Sequence, residues 1–450
     1  LAKLLDTTQS AIARIESGTQ NISADMLKKI SKALKKNLVT LSPGTMNLTI
    51  HGGKKLHGTV VTSTSKNGAV GLLCASLLNK GKTTLRKVPR IEEVHRIIEV
   101  LQSIGMRVEW NGSDVTITPP KSYTLKKINK DAARKTRSIV MFIGPLIHTL
   151  SSFSLPQSGG CKLGSRTVRP HFYGLEHFGV HIETTNDSFD VTVTPKKPSE
   201  IILYESGDTV TENVLMAAAL TPSTTVIKYA SANYQVQELC AFLRICGVTI
   251  EGVGTTTLTV TGITSLAKDI DYTLSEDPTD SMFFLATAIV TNSSLTITRC
   301  PIDFLELELL KLEKMGFKYT KSKPYVSHNN LTRLVDITTK PSTLVALSEK
   351  IHPSVYPGLN IDNLPFFAVI ATQAKGQTLI HDWVYEKRAL YFTELDKLGA
   401  ETVLADQHRI YITGPTPLRA NELICPPALR PATILLIAML GAKGHSVLRN

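Results

Sequence analysis

Apolar positions spaced three and four apart recur in blocks along this chain, and five of the blocks close in the same way. Each ends on leucine, two further residues, an apolar residue and glycine, and then passes into a run of strand character. The copies are Leu101-Gln102-Ser103-Ile104-Gly105, Leu175-Glu176-His177-Phe178-Gly179, Leu243-Arg244-Ile245-Cys246-Gly247, Leu312-Glu313-Lys314-Met315-Gly316 and Leu395-Asp396-Lys397-Leu398-Gly399. Glycine just past a helix fits the left-handed conformation that ends helices. The five glycines lie 74, 68, 69 and 83 residues apart. A second pattern, a short polar turn leading into a β-rich run, precedes most of these helices. It stands at Lys80-Gly81-Lys82-Thr83, Pro222-Ser223-Thr224-Thr225, Asn292-Ser293-Ser294-Leu295, Lys375-Gly376-Gln377-Thr378 and Lys443-Gly444-His445-Ser446. The last copy opens a sixth unit that stops with the sequence at Asn450. Self-similarity at a fixed period marks a repeat-built fold, and the mixture of helix and strand in each copy makes the class α/β.

The first forty residues follow another pattern. Residues 1–18 read as a short helix, a turn and a second helix. A third helix, roughly 24–36, carries Met26, Leu27, Ile30, Ala33 and Leu34 on one face and leaves five lysines mostly solvated. Leu-Ala-x-x-Leu followed by Ile-Ala-Arg-Ile-Glu-x-Gly resembles the helix-turn-helix of phage-repressor-type DNA-binding domains. The resemblance makes 8–16 the recognition helix, with Gln9, Ser10 and Arg14 reaching base edges or phosphates. The alternative is a small all-α module that touches no DNA. The family's first helix does not precede Leu1, which points to a fragment at this end as well. Leu41-Ser42-Pro43-Gly44 marks a linker at 41–45.

Composition narrows the field. With 450 residues and 42% apolar content the chain has enough length for two or three domains with sizeable cores. No apolar run is long enough to span a membrane, and no signal peptide is visible. The six cysteines are scattered, without a metal-ligand spacing, and suit a reducing cytoplasm. Cys240 and Cys246 fall in an apolar helical run and are expected in the core. The net charge of +12 suits anionic partners, nucleic acid or phosphorylated small molecules, without choosing between them.

One short stretch carries reactive chemistry. In Gly159-Gly160-Cys161-Lys162-Leu163-Gly164-Ser165-Arg166, glycines favour a loop, and the neighbouring cations lower a thiol's pKa toward its thiolate. The bland reading is a surface loop with an incidental cysteine.

From Met46 onward the chain resembles the UDP-N-acetylglucosamine enolpyruvyl transferases. The matching stretches, in order, are Ser65-Lys66-Asn67-Gly68-Ala69, Thr136-Arg137-Ser138 with Ile143-Gly144-Pro145-Leu146, the Gly-Gly-Cys loop with Gly174-Leu175-Glu176, His352-Pro353, Asp362, Val384-Tyr385-Glu386-Lys387-Arg388 and Leu429-Arg430. The resemblance implies an inside-out α/β barrel of two similar domains, six repeats in all with the last incomplete, and an active site between them. One domain would hold 66–264 with the Cys161 loop, the other 46–65 with 265–450. It also implies the reaction: the enolpyruvyl group of phosphoenolpyruvate passes to the sugar's 3-hydroxyl in the first committed step of peptidoglycan synthesis, and so in cell-wall biogenesis, cell shape and division.

By that resemblance Lys66, Arg137, Arg166, Arg388 and Arg430 hold phosphoenolpyruvate, whose carboxylate and phosphate call for several fixed cations. Taken singly, each reads as a solvated surface charge, and only their joint match to the family pattern reverses that reading. Cys161 is implied as general acid and Asp362 as the base held against the sugar hydroxyl. Asp362 also reads as a helix N-cap before the apolar run 364–371. Asn67, Val168, His171 and Val384 are implied around the nucleotide sugar, and no cofactor or metal is called for.

Four positions depart from the family pattern. Arg169 stands where an aspartate usually contacts uracil, Ala428 replaces an aspartate, and Ser231-Ala232-Asn233-Tyr234-Gln235 replaces an Arg- and Glu-rich motif. A phosphate-binding arginine of the family would fall beyond Asn450. Two rival readings therefore stay open: a DNA-binding regulator whose large domain senses the nucleotide sugar, and 5-enolpyruvylshikimate-3-phosphate synthase, which shares fold and donor.

Overall fold

A computed structural model describes residues 47–157 and 167–449. The expected helix-turn-helix with Gln9, Ser10 and Arg14, the linker, and the loop carrying Cys161 and Arg166 lie outside the described residues. The chain forms two compact units, the larger made of Ile50–Asn421 with Pro426–Ser446. In the smaller unit, Glu422–Ile424 pairs in parallel with residues 447–449.

Six helices form the interior of the larger unit, in two sets of three. Lys66–Ala75 (α1), Asp208–Ala219 (α2) and Tyr234–Cys246 (α3) pack on one another, as do Pro278–Val290 (α4), Leu364–Ala371 (α5) and Leu429–Gly441 (α6). Their sequences explain their position, since helices apolar on most faces must be covered on most faces. Every residue of α5 is buried, and eight of the ten in α1.

Sheets flank each set. Beside α1–α3, Thr83–Arg86 pairs in parallel with Ile270–Thr273 and antiparallel with Asp114–Thr118, which continues to Arg107–Asn111. A second sheet joins Ser152–Pro156, Ser188–Val193 and Val180–Thr184. A third runs through Thr249–Glu251, Thr257–Thr261, Thr224–Lys228 and Glu200–Ile202. Beside α4–α6, one sheet orders Lys318–Lys321, Arg333–Lys340, Ser294–Pro301 and His57–Val61. Another orders Leu344–Val345, Ala374–His381, Arg409–Gly414 and Glu401–Leu404. The expected α/β class, built from recurring units, is what the chain adopts.

All five repeat glycines take the left-handed conformation, with φ of 106°, 81°, 103°, 94° and 90° at Gly105, Gly179, Gly247, Gly316 and Gly399. At Gly179 an added Cβ would sit 1.7 Å from the Thr194 carbonyl oxygen. Cys240 and Cys246 are buried, as expected.

Two chain segments join the halves side by side. Ser65 N donates to Ser275 O (2.8 Å) and Asp277 N to Ser63 O (2.8 Å). Immediately after these crossings begin α1, at Lys66, and α4, capped by Asp277, whose side chain accepts from Thr279 N at 2.8 Å. The junction thus delivers the first turns of two buried helices to one place.

Candidate active site

A cavity of about 780 Å³ opens where the halves face each other. Its lining includes Lys66, Asn67, Arg137, His171, Asp362, Val384, Arg388 and Arg430, residues drawn from positions up to 364 apart (430 − 66). A second hollow of about 1620 Å³ shares Lys66, Glu93, Arg137, Leu429 and Arg430 with it and extends past Lys87, Arg90, Arg134 and Lys135. The smaller gathers the groups with chemistry, and we take it as the site.

Lys66 is the first residue of α1, whose N-cap Ser65 accepts from Gly68 N at 2.9 Å. Its ammonium meets the Glu93 carboxylate at 2.5 Å. Glu93 also accepts from Ser138 Oγ (2.8 Å) and Thr136 Oγ1 (3.3 Å). Burial opposes ionisation of Glu93, but Lys66 and the two hydroxyls outweigh it and hold the carboxyl below its usual range. Arg137, between these two hydroxyl residues, donates from Nη2 to Thr167 O at 2.7 Å, next to the loop that carries Cys161.

The opposite wall comes from the other half. Asp362 and Arg430 pair at 3.1 Å through Oδ2 and Nη2, with 27% and 15% of their side chains exposed. Burial alone would raise the Asp362 pKa; Arg430, then Arg388 and Lys66, reverse this and hold it far below the ordinary carboxylate range. Asp362 is not a helix cap: Asn363 occupies that place ahead of α5, and the Asp362 side chain turns to Arg430 instead.

Arg388 is almost wholly buried, paired with Asp382, which is itself buried. Its Nη2 donates to Ile361 O at 2.9 Å, and its guanidinium lies 4.2 Å from the Tyr385 ring centre. A cation fixed from three sides is pre-organised, so little entropy is lost when an anion meets it. Arg430 stands in the first turn of α6, whose N-cap position, Ala428, offers no side-chain acceptor. That leaves the helix's first N–H groups for an anion.

On the first wall, Asn67 Nδ2 donates to Tyr234 Oη (3.0 Å) and Gln235 Oε1 (3.4 Å). His171 is buried, with Nδ1 3.2 Å from Asn213 Nδ2 and Nε2 3.4 Å from Thr209 Oγ1. Val168 precedes the helix Arg169–Glu176 and packs on the core of the α1–α3 half rather than lining the cavity. Arg169 is exposed. Among the described residues no cluster of histidine, cysteine and carboxylate side chains could hold a metal. Nor is any helix there long and apolar enough to cross a membrane.

Sequence reasoning missed Glu93, Asp382 and Tyr234. The first two are single acids in ordinary surroundings, and their role as counter-ions exists only once the chain folds. Tyr234 had a signal, since 231–235 stood out as a departure from the resembled motif.

Residues 50–450 match the family described as EPSP synthase (3-phosphoshikimate 1-carboxyvinyltransferase), and residues 1–41 match a helix-turn-helix family. A UDP-N-acetylglucosamine 1-carboxyvinyltransferase from Treponema denticola is 32% identical over 405 residues, covering 89% of this chain and 92% of that protein. One of the same name from Porphyromonas gingivalis is 29% identical, covering 89% and 93%. Among solved structures, the enolpyruvyl transferase NikO from Streptomyces tendae superposes with a TM-score of 0.75 at 23% identity, covering 90% and 93%, a likeness of fold.

Proposed function

The chain belongs to the EPSP synthase family of carboxyvinyltransferases, and from that premise we propose that it transfers the enolpyruvyl group of phosphoenolpyruvate to the 3-hydroxyl of UDP-N-acetylglucosamine. The observation that carries this reading is the convergence of Lys66, Arg137, Arg388 and Arg430 with Asp362 and Asn67 in one cavity. Four cations match a donor bearing a carboxylate and a phosphate, and Asp362, a carboxylate that faces the cavity beside Arg430, suits a proton acceptor. The relatives named above favour the sugar nucleotide as acceptor over shikimate 3-phosphate.

The chemistry balances as addition followed by elimination. The acceptor oxygen bonds to C2 of phosphoenolpyruvate as its proton passes to Asp362, and a proton is added to the C3 methylene. That second proton is assigned to Cys161, on the resemblance. The tetrahedral adduct then loses a proton from C3 and expels phosphate, restoring the double bond as an enol ether. Arg388 and Arg430 would hold the carboxylate and phosphate oxygens, and the α6 N-terminus adds N–H donors beside them. Arg430 is the main cause that holds Asp362 far below the ordinary carboxylate range. A substrate anion that takes up Arg430 loosens that hold and raises the carboxylate's affinity for a proton. Binding of the donor thereby activates the base.

We place the reaction in peptidoglycan synthesis and the protein in a reducing cytoplasm, in keeping with buried free thiols at Cys74, Cys240, Cys246 and Cys300. Residues 1–41 favour an added role, contact with DNA through Gln9, Ser10 and Arg14. Incubating the full chain with phosphoenolpyruvate and either UDP-N-acetylglucosamine or shikimate 3-phosphate tests the main proposal. The enolpyruvyl ether should form with the sugar nucleotide alone. Its formation from shikimate 3-phosphate would replace the proposal. Nucleotide-sugar-responsive DNA binding without any product would leave the sensor reading.

A further inference from the structure

Resting on that reading, we propose that Tyr234, with Gln235, is a positioning residue that fixes the Asn67 side-chain amide as a hydrogen-bond acceptor for a hydroxyl of the acceptor sugar.

A primary amide offers two N–H donors and one carbonyl acceptor, and it can rotate to present either end. Here both donors of Asn67 are engaged, by Tyr234 Oη at 3.0 Å and Gln235 Oε1 at 3.4 Å. Among the described residues no donor reaches Asn67 Oδ1, and Asn67 lines the cavity. The carbonyl is thus the end left to a ligand, and it suits a hydroxyl donor rather than the anionic oxygens of phosphoenolpyruvate. Asn67 follows Lys66 at the start of α1, so this acceptor stands next to the cation cluster.

Tyr234 itself is rigidly held. It is the first residue of α3, and it is 5% exposed. The Asn233 side chain caps α3 by accepting from Tyr234 N at 2.9 Å. The loop before it is tied to α2: Asp208 accepts from Ser231 Oγ (2.5 Å) and Asn233 Nδ2 (3.0 Å). Across the cleft the Tyr234 ring packs edge-on against Phe304 (5.8 Å), which in turn meets Tyr356 (5.2 Å). Burial first, then Asp277 and Asp362, push the phenol's pKa well up, so the group stays a neutral hydroxyl. A neutral phenol accepts from the amide without adding charge to an anion site.

The test uses Tyr234→Phe in the full chain, which removes one oxygen and keeps the aromatic stack. With the amide freed to rotate, KM for UDP-N-acetylglucosamine should rise about five- to tenfold, while KM for phosphoenolpyruvate stays within about twofold. Gln235→Leu should act in the same direction, and it decides the matter if Tyr234→Phe lowers the melting temperature. Equal changes in both KM values, or none, with the wild type active, overturn the proposal and leave the reaction standing. A wild type that neither binds nor converts UDP-N-acetylglucosamine overturns the underlying reading, and this proposal with it.

Discussion

At the residue scale the cavity is walled by ion pairs. Lys66 is held by Glu93, Arg388 by Asp382 and Arg430 by Asp362. Two of these pairs differ in kind. Asp382 is buried with Arg388 and removing it would strand a buried cation, whereas Asp362 and Arg430 face the cavity and can exchange partners. Arg430→Ala should therefore raise KM for phosphoenolpyruvate about tenfold or more, and should move the acid limb of the kcat/KM profile upward, because Asp362 loses the cation that keeps it ionised. A pH–rate profile of the variant checks both. Most of these residues could be named from sequence, because dispersed short matches fixed their order. Their counter-ions could not, because Glu93 and Asp382 resemble any other acid until folding brings cations beside them. The same limit left Asp362 open between cap and base; Asn363 takes the cap position, and the Asp362 side chain pairs with Arg430.

At the element scale, the recurring Leu-x-x-apolar-Gly endings were fully legible, since only a left-handed residue closes a helix into a strand in that way. What the pattern did not reveal is how α1 fits among its neighbours. Gly68 and Gly71 leave room for two buried carboxyls: an added Cβ would lie 1.9 Å from Glu238 Oε2 and 2.7 Å from Glu212 Oε1. Glu238 accepts from Ser275 N at 2.6 Å and so braces the crossing between halves. Gly68→Ala should destabilise the chain by about 1–3 kcal/mol in denaturant unfolding, and Gly68→Ala/Glu238→Asp should recover much of it by withdrawing one methylene. Burial pushes the Glu238 pKa up to about 7. A raised folded-state value means stability present at acid pH and lost as pH rises from the carboxylate range through neutrality. Glu238→Gln should flatten that fall, as melting temperatures between pH 5 and pH 8 would show.

At the scale of the whole molecule, charge is concentrated. Residues 121–137 hold seven lysines and arginines and one aspartate, a net +6 (7 − 1) of the chain's +12. The segment runs along the helix Glu92–Ser103: Thr124 N bonds Ile104 O, Asn129 N bonds Ser103 Oγ, and Thr136 reaches Glu93. It ends at Arg137 in the cleft, a path suited to guiding anionic substrates inward. Lys126→Glu/Lys127→Glu/Lys130→Glu, all at exposed positions, should lower kcat/KM at low salt by about tenfold and weaken its salt dependence, with kcat unchanged. The central claim is that a carboxylate set among these cations takes the acceptor's proton. Asp362→Asn keeps the shape and removes the base, so its steady-state rate tests that claim most directly. The account predicts kcat lower by about a hundredfold or more with both KM values within about threefold. A variant that turns over at a near-normal rate would contradict it.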